Sequence, residues 1–311
     1  MIVLKEKESK ASILLLLAAF IWGFAFVAQR VGIKYIGSFT FNGVRFALGS
    51  ISLIPLILYS QRMNKKTSRM DIVQGEKAKA LTPVGEGIIC GLVLFMGATL
   101  QQIGLEDTTA GKAAFITGFY IVLVPLLGRF LGQRIKKNTW IAAIFAITGL
   151  YLISVTDRFT ISRGDMLVFL GSFFWAAHIL LIDRFTQRTD ALVLSFIQYI
   201  VCSVLSLLMA VAFEEISLQG LVQAQVPILY GGIASVGIAY TLQAYGQKHA
   251  KPSHAAIILS LEAVFAAIGG FLLLNETMNM KAFIGCALMF IGVLVSQMDS
   301  FQEFEVQKYS S

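Results

Sequence analysis

The sequence predicts an all-α membrane protein with ten transmembrane helices, arranged as two inverted five-helix repeats. Three observations predict this fold. The 311 residues are 57% hydrophobic and only 14% charged, with a mean hydropathy of +0.75, whereas a soluble domain carries about 25% charged residues. The apolar residues fall into ten runs of membrane-spanning length, and the two halves of the chain resemble each other. A soluble globule, a disordered chain and a collagen-like repeat are therefore excluded.

The ten spans follow from length and apolar content, because a helix needs about 20 mostly apolar residues to cross the hydrocarbon core. Such runs lie near residues 11–29, 38–60, 84–105, 110–131, 138–155, 164–182, 191–213, 227–247, 253–274 and 280–298. Basic residues precede the first run as in a secretory signal, but the run is too long for a signal core and has no convincing cleavage site. We therefore predict that it stays as a span. The polar connector Gln61–Pro83 is predicted to be a solvated loop.

The distribution of Lys and Arg predicts the orientation. With the N-terminus inside, the inner segments hold seventeen basic residues, and the outer loops hold Arg30, Lys34, Arg158, Arg163 and Lys281. This bias places both termini in the cytoplasm of a multi-pass plasma-membrane protein. The same topology accounts for the net charge of +7, so no nucleic-acid partner is predicted.

An internal repeat relates the two halves, with a boundary between residues 157 and 158. The offset is 142 for Gln101/Gln243 and Gly104/Gly246, 153 for Trp22/Trp175, and 143 for Gly149/Gly292. The larger offset near the N-terminus fits the extra length of the connector at residues 61–83. Because each copy has an odd number of spans, the second copy crosses the membrane upside down. Inverted repeats place a binding site near the midplane, where the halves meet, and permit alternating access.

Three stretches resemble the EamA type of the drug/metabolite transporter superfamily. They read AFIWGFAFVAQR in span 1, TTAGKAAFITGFYIVLVPLLG in span 4 and SLEAVFAAIGGFLLLNE in span 9. The resemblance implies two EamA-type repeats, 1–157 and 158–311, forming a ten-helix inner-membrane carrier. It also implies a cavity lined mainly by helices 1, 3, 4, 6, 8 and 9 and export of amino acids or other small metabolites. The chain departs from the family pattern at Gln133-Arg134 and at Ala263, where Gly-Glu and Pro are common.

Aromatic and amide side chains on these spans are the candidates for a substrate cavity. Trp22, Phe26 and Gln29 share one stripe of span 1, and Trp175 and His178 share one face of span 6. The candidate cavity residues are Trp22, Phe26, Gln29, Gln101, Gln102, Phe119, Tyr120, Trp175, His178, Gln243 and Tyr245. Any one of them alone is equally explained by packing, and His178 by a single buried hydrogen bond. Together they indicate a mostly apolar chamber for a modest-sized, amphipathic molecule.

Ionisable residues within spans are costly, so each needs an explanation. Arg45 in span 2 either lines the pathway or has a structural role. Lys112 and His254 occupy equivalent positions at the starts of spans 4 and 9, on opposite faces of the membrane. They are either pathway groups or residues in headgroup water. Glu262, the deepest acid, is either a proton-coupling group or a helix-tethering hydrogen-bond acceptor.

Pro125 in span 4 is a candidate hinge, because proline removes a backbone donor and kinks a helix. The second copy has Ala267 at the equivalent position. We expect Pro125→Ala to change the transport rate more than the expression level. Initial rates equal to those of the unaltered protein would count against a hinge.

A secondary carrier is the function that the sequence favours, with a small-molecule substrate, the lipid bilayer as its environment and no cofactor. An intramembrane enzyme and a non-transporting receptor or scaffold are the alternatives. The chain has no His-Glu-x-x-His, Gly-x-Gly-Asp or Gly-x-Ser-x-Gly motif and no Walker A sequence. Cys90, Cys202 and Cys286 sit singly, so neither a disulfide nor a metal site is predicted. A homodimer remains open.

Overall fold

The computed structural model describes residues 2–67, 83–133, 135–154, 161–275 and 280–309. All regular structure within these ranges is helical, which agrees with the predicted all-α class. The predicted repeat boundary at 157/158 and Arg134 lie outside the described residues, as do residues 68–82 of the predicted connector.

The helices follow the predicted spans closely. Their bounds are α1 Ile2–Gly32, α2 Ser38–Thr67, α3 Pro83–Gly104, α4 Ala110–Thr117, α5 Tyr120–Phe130, α6 Lys137–Ser154, α7 Arg163–Thr186, α8 Ala191–Phe213, α9 Leu218–Gln223, α10 Gln225–Leu229, a π-helical segment Tyr230–Tyr240, α11 Thr241–Gln247, α12 Pro252–Leu259, α13 Glu262–Leu274 and α14 Met280–Tyr309. One prediction is wrong, because α2 continues through residues 61–67, which were assigned to a solvated loop.

Eight segments of the described residues are long and apolar enough to cross a membrane. They are Glu8–Gly32, Ser38–Ser60, Pro83–Gly104, Ala110–Phe130, Arg163–Thr186, Ala191–Phe213, Gln225–Gln247 and Pro252–Leu274. Each coincides with one predicted span. The shorter apolar helix Met280–Ser296 covers most of the predicted tenth span, and α6 covers the fifth. These two helices pack along each other.

Two of the spans are broken in the middle. The fourth span is interrupted at Gly118–Phe119, between α4 and α5, and the ninth at Ser260–Leu261, between α12 and α13. At each break the backbone N–H donates to the carbonyl three residues back, as in a 3₁₀ turn: Phe119 to Ile116, and Leu261 to Ile258. The two breaks are therefore the same local structure.

The break in the fourth span does not lie at Pro125, where the hinge was predicted. It precedes Pro125 by six residues, and Pro125 itself is buried within α5. The ninth span has the same break with Ala267 in place of the proline. Because the break forms with and without a proline, proline is not its cause. The hinge role of Pro125 remains a prediction.

Close helix contacts rest on small residues, as expected where lipid supplies no hydrophobic drive for helix association. The end of α3 meets the start of α7 at Gly104 and Gly164. A Cβ atom at Gly104 would lie 2.7 Å from the carbonyl oxygen of Gly164, and one at Gly164 would lie 2.3 Å from that of Gly104. No side chain fits at this crossing. It fixes the ends of two helices that contribute to the cavity described next.

Candidate functional site

A cavity of about 450 Å³, counting its open mouth, lies between helices from both halves of the chain. It is lined by Trp22, Ala25, Phe26, Gln29, Arg45, Gln101, Thr117, Tyr120, Trp175, Ile179, Ser235, Tyr240, Gln243, Leu259 and Glu262. Tyr120, Leu259 and Glu262 flank the two helix breaks, so the breaks lie at the cavity wall.

Seven of the eleven predicted cavity residues line this cavity, and so does Glu262. The seven are Trp22, Phe26, Gln29, Gln101, Tyr120, Trp175 and Gln243. They come from α1, α3, α5, α7 and α11, which belong to the predicted spans 1, 3, 4, 6 and 8. The structure therefore brings together side chains that are far apart in the sequence, from Trp22 in the first span to Gln243 in the eighth.

The other four candidates lie elsewhere, each for a local reason. Gln102 is fully buried and its Nε2 donates to the Gln29 carbonyl at 3.4 Å. Phe119 sits in the break of the fourth span and packs on the ring of Phe169.

The remaining two candidates, His178 and Tyr245, belong to the predicted spans 6 and 8. His178 is buried behind Trp175, and its Nε2 pairs with Oε1 of Gln198 at 2.8 Å. This single buried hydrogen bond is the alternative that the sequence left open for His178. Tyr245 is 37% exposed on the outside of the bundle, because it lies on the opposite face of its helix from Gln243. None of the four is a cavity residue in this structure.

Several cavity residues were not predicted, and the π-helical segment explains two of them. Ser235 and Tyr240 are five residues apart, and a π-helix has i→i+5 hydrogen bonds, so the two share a face. A search at the α-helical period does not select such a pair. Arg45 was left open between a structural and a pathway role, and it lines the cavity. Thr117 lies at the end of α4, beside the break.

The aromatic wall of the cavity is organised around Tyr240. Its ring stacks on that of Trp175, with centroids 6.1 Å apart and planes at 23°. It packs edge-to-face with the ring of Trp22, with centroids 4.6 Å apart and planes at 60°. Trp22 also donates from Nε1 to the carbonyl of Ser235 at 3.3 Å. Such ring pairs each add about 0.5–1.5 kcal/mol beyond their buried area. The wall therefore offers a preorganised apolar surface.

Amide groups form a second, polar wall. Gln101 donates from Nε2 to Oε1 of Gln29 at 3.1 Å, and Gln29 donates from Nε2 to the carbonyl of Ala25 at 3.2 Å. Gln243 is related to Gln101 by the sequence offset of 142, and its Oε1 is buried without a hydrogen-bond partner. Each half of the chain thus contributes a glutamine, and the side-chain amide of Gln101 is hydrogen-bonded whereas the side-chain oxygen of Gln243 is not.

Two ionisable groups lie in the cavity wall. Glu262 is 4% exposed at the first position of α13, and its Oε1 accepts a hydrogen bond from Tyr120 Oη at 3.0 Å. A carboxylate there benefits from the positive end of the helix dipole. Arg45 is 2% exposed, with its guanidinium over the rings of Phe41 and Phe46. Contacts with other residues of the chain therefore hold both side chains in position.

Lys112 is not part of the cavity. Its Nζ lies 2.6 Å from Oδ2 of Asp165, joining the start of α4 to the start of α7. Asp165 also accepts from Thr108 Oγ1 and from the Ser162 backbone N–H, each at 2.7 Å. The structure therefore gives Lys112 a role in joining helices. His254 is buried near the start of α12 and is likewise absent from the cavity wall.

We expect Asp165→Ala to destabilise the protein by about 1.5–3 kcal/mol, because it removes an acceptor shared by three donors, one of them charged. Lys112→Met removes only one donor, from a partly exposed pair, and should cost less than about 1 kcal/mol. Thermal unfolding of the two purified variants in the same detergent measures the difference. Equal losses for both would contradict the shared role of Asp165.

Among the described residues, no group of three or more His, Cys, Asp and Glu side chains is placed to hold a metal ion. Cys90 and Cys202 are buried as free thiols, and Cys286 is partly buried.

Comparisons with known proteins cover almost the whole chain. The model of the EamA-like transporter family matches residues 9–155 and 162–298. A protein of Archaeoglobus fulgidus named "Uncharacterized transporter" is 28% identical over 290 residues, spanning 93% of this chain and 86% of its own length. "Uncharacterized transporter YoaV" of Bacillus subtilis is 23% identical over 283 residues, with 89% and 92% covered. A solved structure described as "Crystal structure of protein" has a similar fold, with a TM-score of 0.73 at 18% identity, covering 92% of this chain and 98% of that one.

Proposed function

This chain belongs to the EamA-like transporter family, and from that premise we propose that it is a secondary-active exporter of a small organic metabolite, an amino acid or a drug-like compound. The cavity between the two halves holds the substrate, and the halves exchange conformations to open it to either side in turn. That cavity, lined from both halves near the breaks of two spans, is the observation that carries the proposal.

We propose that ten spans form two inverted repeats, and the helix bounds support this. The spans Ser38–Ser60 and Ala191–Phe213 begin and end at equivalent positions, at the offset of 153. Pro83, the start of α3, and Gln225, the start of α10, are related by the offset of 142. The same offset relates the break at Gly118–Phe119 to the break at Ser260–Leu261. These are the offsets at which the sequence repeats.

The packing of the helices supports the same arrangement. If the two copies are exchanged, α1 becomes α7, α2 becomes α8, and α3 becomes the span made of α10, the π-helical segment and α11. Under this exchange the contact of α1 with α13 becomes that of α7 with α5, and the contact of α3 with α8 becomes that of the π-helical segment with α2. The contacts of α2 with α8 and of α6 with α14 each become themselves. A pseudo-twofold axis in the membrane plane relates helices in this way.

The bond between Tyr120 and Glu262 is a further support. The two residues occupy equivalent positions of the two copies, each at the start of the helix that follows a break. Two equivalent residues touch only close to the axis that relates the copies. The bond therefore lies close to the proposed pseudo-twofold axis, and both of its residues line the cavity.

A reconstituted transport assay tests the proposal. Liposomes that contain the purified protein and are loaded with a metabolite mixture should release at least one compound faster than protein-free liposomes loaded with the same mixture. An imposed pH gradient should change the rate of that release. Ala25→Trp, which fills the cavity, should abolish release, whereas Ile51→Trp on the exposed face of α2 should not. If no compound is released, or if Ala25→Trp matches the unaltered protein, the proposal fails.

The orientation has a separate test. The excess of Lys and Arg in alternate loops supports cytoplasmic N- and C-termini, as ten crossings require. Reporter tags at the two ends, assayed in intact cells, should both report the cytoplasm. Tags on opposite faces would contradict the proposed number of crossings and with it the inverted arrangement of the two copies.

A further inference from the structure

We infer that Arg45 binds an acidic group of the transported molecule, so that the substrate is an organic anion with a single carboxylate and an apolar or aromatic body. This inference rests on the proposed transport function, since it identifies the chemistry of the same cavity. It is carried by the state of Arg45, by its counterpart in the second half of the chain, and by the space beside it.

Arg45 is a buried cation without an anionic partner among the described residues. Its side chain lines the cavity at 2% exposure, and no described carboxylate lies within 4.0 Å of its guanidinium. Its Nε has no hydrogen-bond partner. The rings of Phe41 and Phe46, with centroids 5.5 and 5.0 Å from Cζ, hold the group in place. A buried charge of this kind costs several kcal/mol unless an opposite charge or good hydrogen bonds compensate it.

The fold itself does not require a cation at this position. At the offset of 153, the counterpart of Arg45 is Gln198 of α8. Gln198 is buried and neutral, and its Oε1 is paired with Nε2 of His178 at 2.8 Å. The second half therefore fills the equivalent place with an uncharged pair joined by one hydrogen bond, in which Gln198 Nε2 and His178 Nδ1 have no partner. Arg45 differs from it by carrying a charge that the chain leaves uncompensated.

His178, the hydrogen-bond partner of Gln198, has a counterpart in the first half that carries no polar side chain. His178 corresponds at the same offset to Ala25, and both Ala25 and Arg45 line the cavity. Where the second half has an imidazole against Gln198, the first half has a methyl group and open cavity. The missing hydrogen-bond partner of Arg45 is thus replaced by space that a ligand can occupy.

The surroundings select a carboxylate over a multiply charged anion. A guanidinium matches a carboxylate in planar, two-point geometry. Arg45 is the one basic side chain among the described lining residues, so a second negative group on the ligand would find no cation to pair with. The stacked rings of Trp175 and Tyr240 supply the surface for the apolar body.

Tryptophan fluorescence provides a binding test that does not depend on transport. Trp22 and Trp175 line the cavity, and the third tryptophan, Trp140 of α6, can be removed as Trp140→Phe. The probes are phenylacetate and pentanoate, each compared with its amide and its amine. We expect at least one carboxylate to change the fluorescence saturably and to bind about tenfold to a hundredfold more tightly than its amide, the range for a hydrogen bond to a charged group.

Two variants test the role of Arg45. Arg45→Gln copies Gln198, and Arg45→Gln combined with Ala25→His copies the whole polar pair of the second half, so the chain itself provides a foldable alternative. Both should bind carboxylate and amide equally. Arg184→Gln, on the exposed face of α7, should keep the preference. Size-exclusion chromatography establishes that each variant is folded before binding is measured.

The unaltered protein alone can overturn the inference, whatever the variants do. If every amide or amine binds as tightly as its carboxylate, the cavity does not select an anion. A preference that persists in a folded Arg45→Gln variant would also overturn it. Either result, together with measurable metabolite release, leaves the transport function intact. Carboxylate binding without release of any compound would instead contradict the transport proposal.

Discussion

Replacing Gly23 with alanine is expected to destabilise the folded protein by roughly 3 kcal/mol, near the upper end of the usual cost of overpacking. Gly23 lies where α1 crosses α13. A Cβ atom there would lie 2.3 Å from Cβ of Phe265 and 2.8 Å from both the backbone N of Ala266 and the carbonyl oxygen of Glu262. Two of these atoms are backbone, so α13 would have to shift as a whole. Thermal unfolding in detergent measures the loss.

A second glycine provides the matched control. Gly171 in α7 also lies within a helix at a helix crossing, but the nearest atoms to an added Cβ are Cβ of Leu100 at 3.4 Å and the carbonyl oxygen of Gly97 at 3.6 Å. These are ordinary contacts, and alanine is the better helix former by about 1 kcal/mol. We expect Gly171→Ala to be neutral or stabilising. If the two variants unfold at the same temperature, α1 and α13 are not in the close contact described here.

The consequences of Gly23→Ala should extend to the cavity. Its neighbour Trp22 forms part of the aromatic wall, and Glu262, whose carbonyl would be displaced, also lines the cavity. Small residues at this crossing therefore set the distance between α1 and the broken ninth span. The contact of Gly23 with α13, which stabilises the fold, and the cavity residue Trp22 therefore lie on the same stretch of α1.

Hydropathy predicted the positions of the helices well because crossing length and apolar content are properties of the local sequence. The start of the predicted connector was wrong for a related reason. Residues 61–67 read QRMNKKT, which is polar, yet Gln, Arg, Met and Lys are good helix formers. Polarity indicates that such residues meet water, and it does not indicate that the backbone leaves the helix. α2 accordingly continues to Thr67.

The positions of the helix breaks could not be predicted from the sequence pattern. Proline is the strongest local signal for a kink, and it predicted a hinge at Pro125. The actual break in the fourth span lies at Gly118–Phe119, and its counterpart at Ser260–Leu261 contains neither glycine nor proline. Both breaks form where two spans meet across the chain, at Tyr120 and Glu262. That contact depends on tertiary packing, which a single-helix pattern does not contain.

The cavity lining agrees best with the predicted residues where the helix is regular. Trp22, Phe26 and Gln29 recur at α-helical spacing and do line the cavity. His178 was left open between a cavity residue and a buried pair, because its partner Gln198 lies on the next helix and the choice depends on that neighbour. Tyr240, the centre of the aromatic wall, was missed because the π-helical segment changes the residues that share a face.

Replacing Glu262 with glutamine is expected to remove the response of transport to a pH gradient while substrate exchange continues. Glu262 is 4% exposed in the cavity wall. An ionisable group at this depth is costly in a membrane and typically belongs to a proton or substrate pathway. Glutamine keeps the oxygen that accepts from Tyr120 Oη but cannot bind and release a proton. With one proton per substrate, a one-unit gradient supports up to about tenfold accumulation, and the variant should show none.

Tyr120→Phe separates this role from the tethering of two helices. It removes the hydrogen bond between α5 and α13 and leaves the carboxyl group in place. If Glu262 carries the coupling proton, Tyr120→Phe should still respond to the gradient in liposomes, using the metabolite identified by the release assay, and only Glu262→Gln should not. If Glu262 serves only as an acceptor for Tyr120, the pattern reverses: Glu262→Gln behaves normally and Tyr120→Phe is impaired. The reversed pattern would contradict proton coupling at Glu262, because the carboxyl group and the hydrogen bond are then shown to have opposite importance.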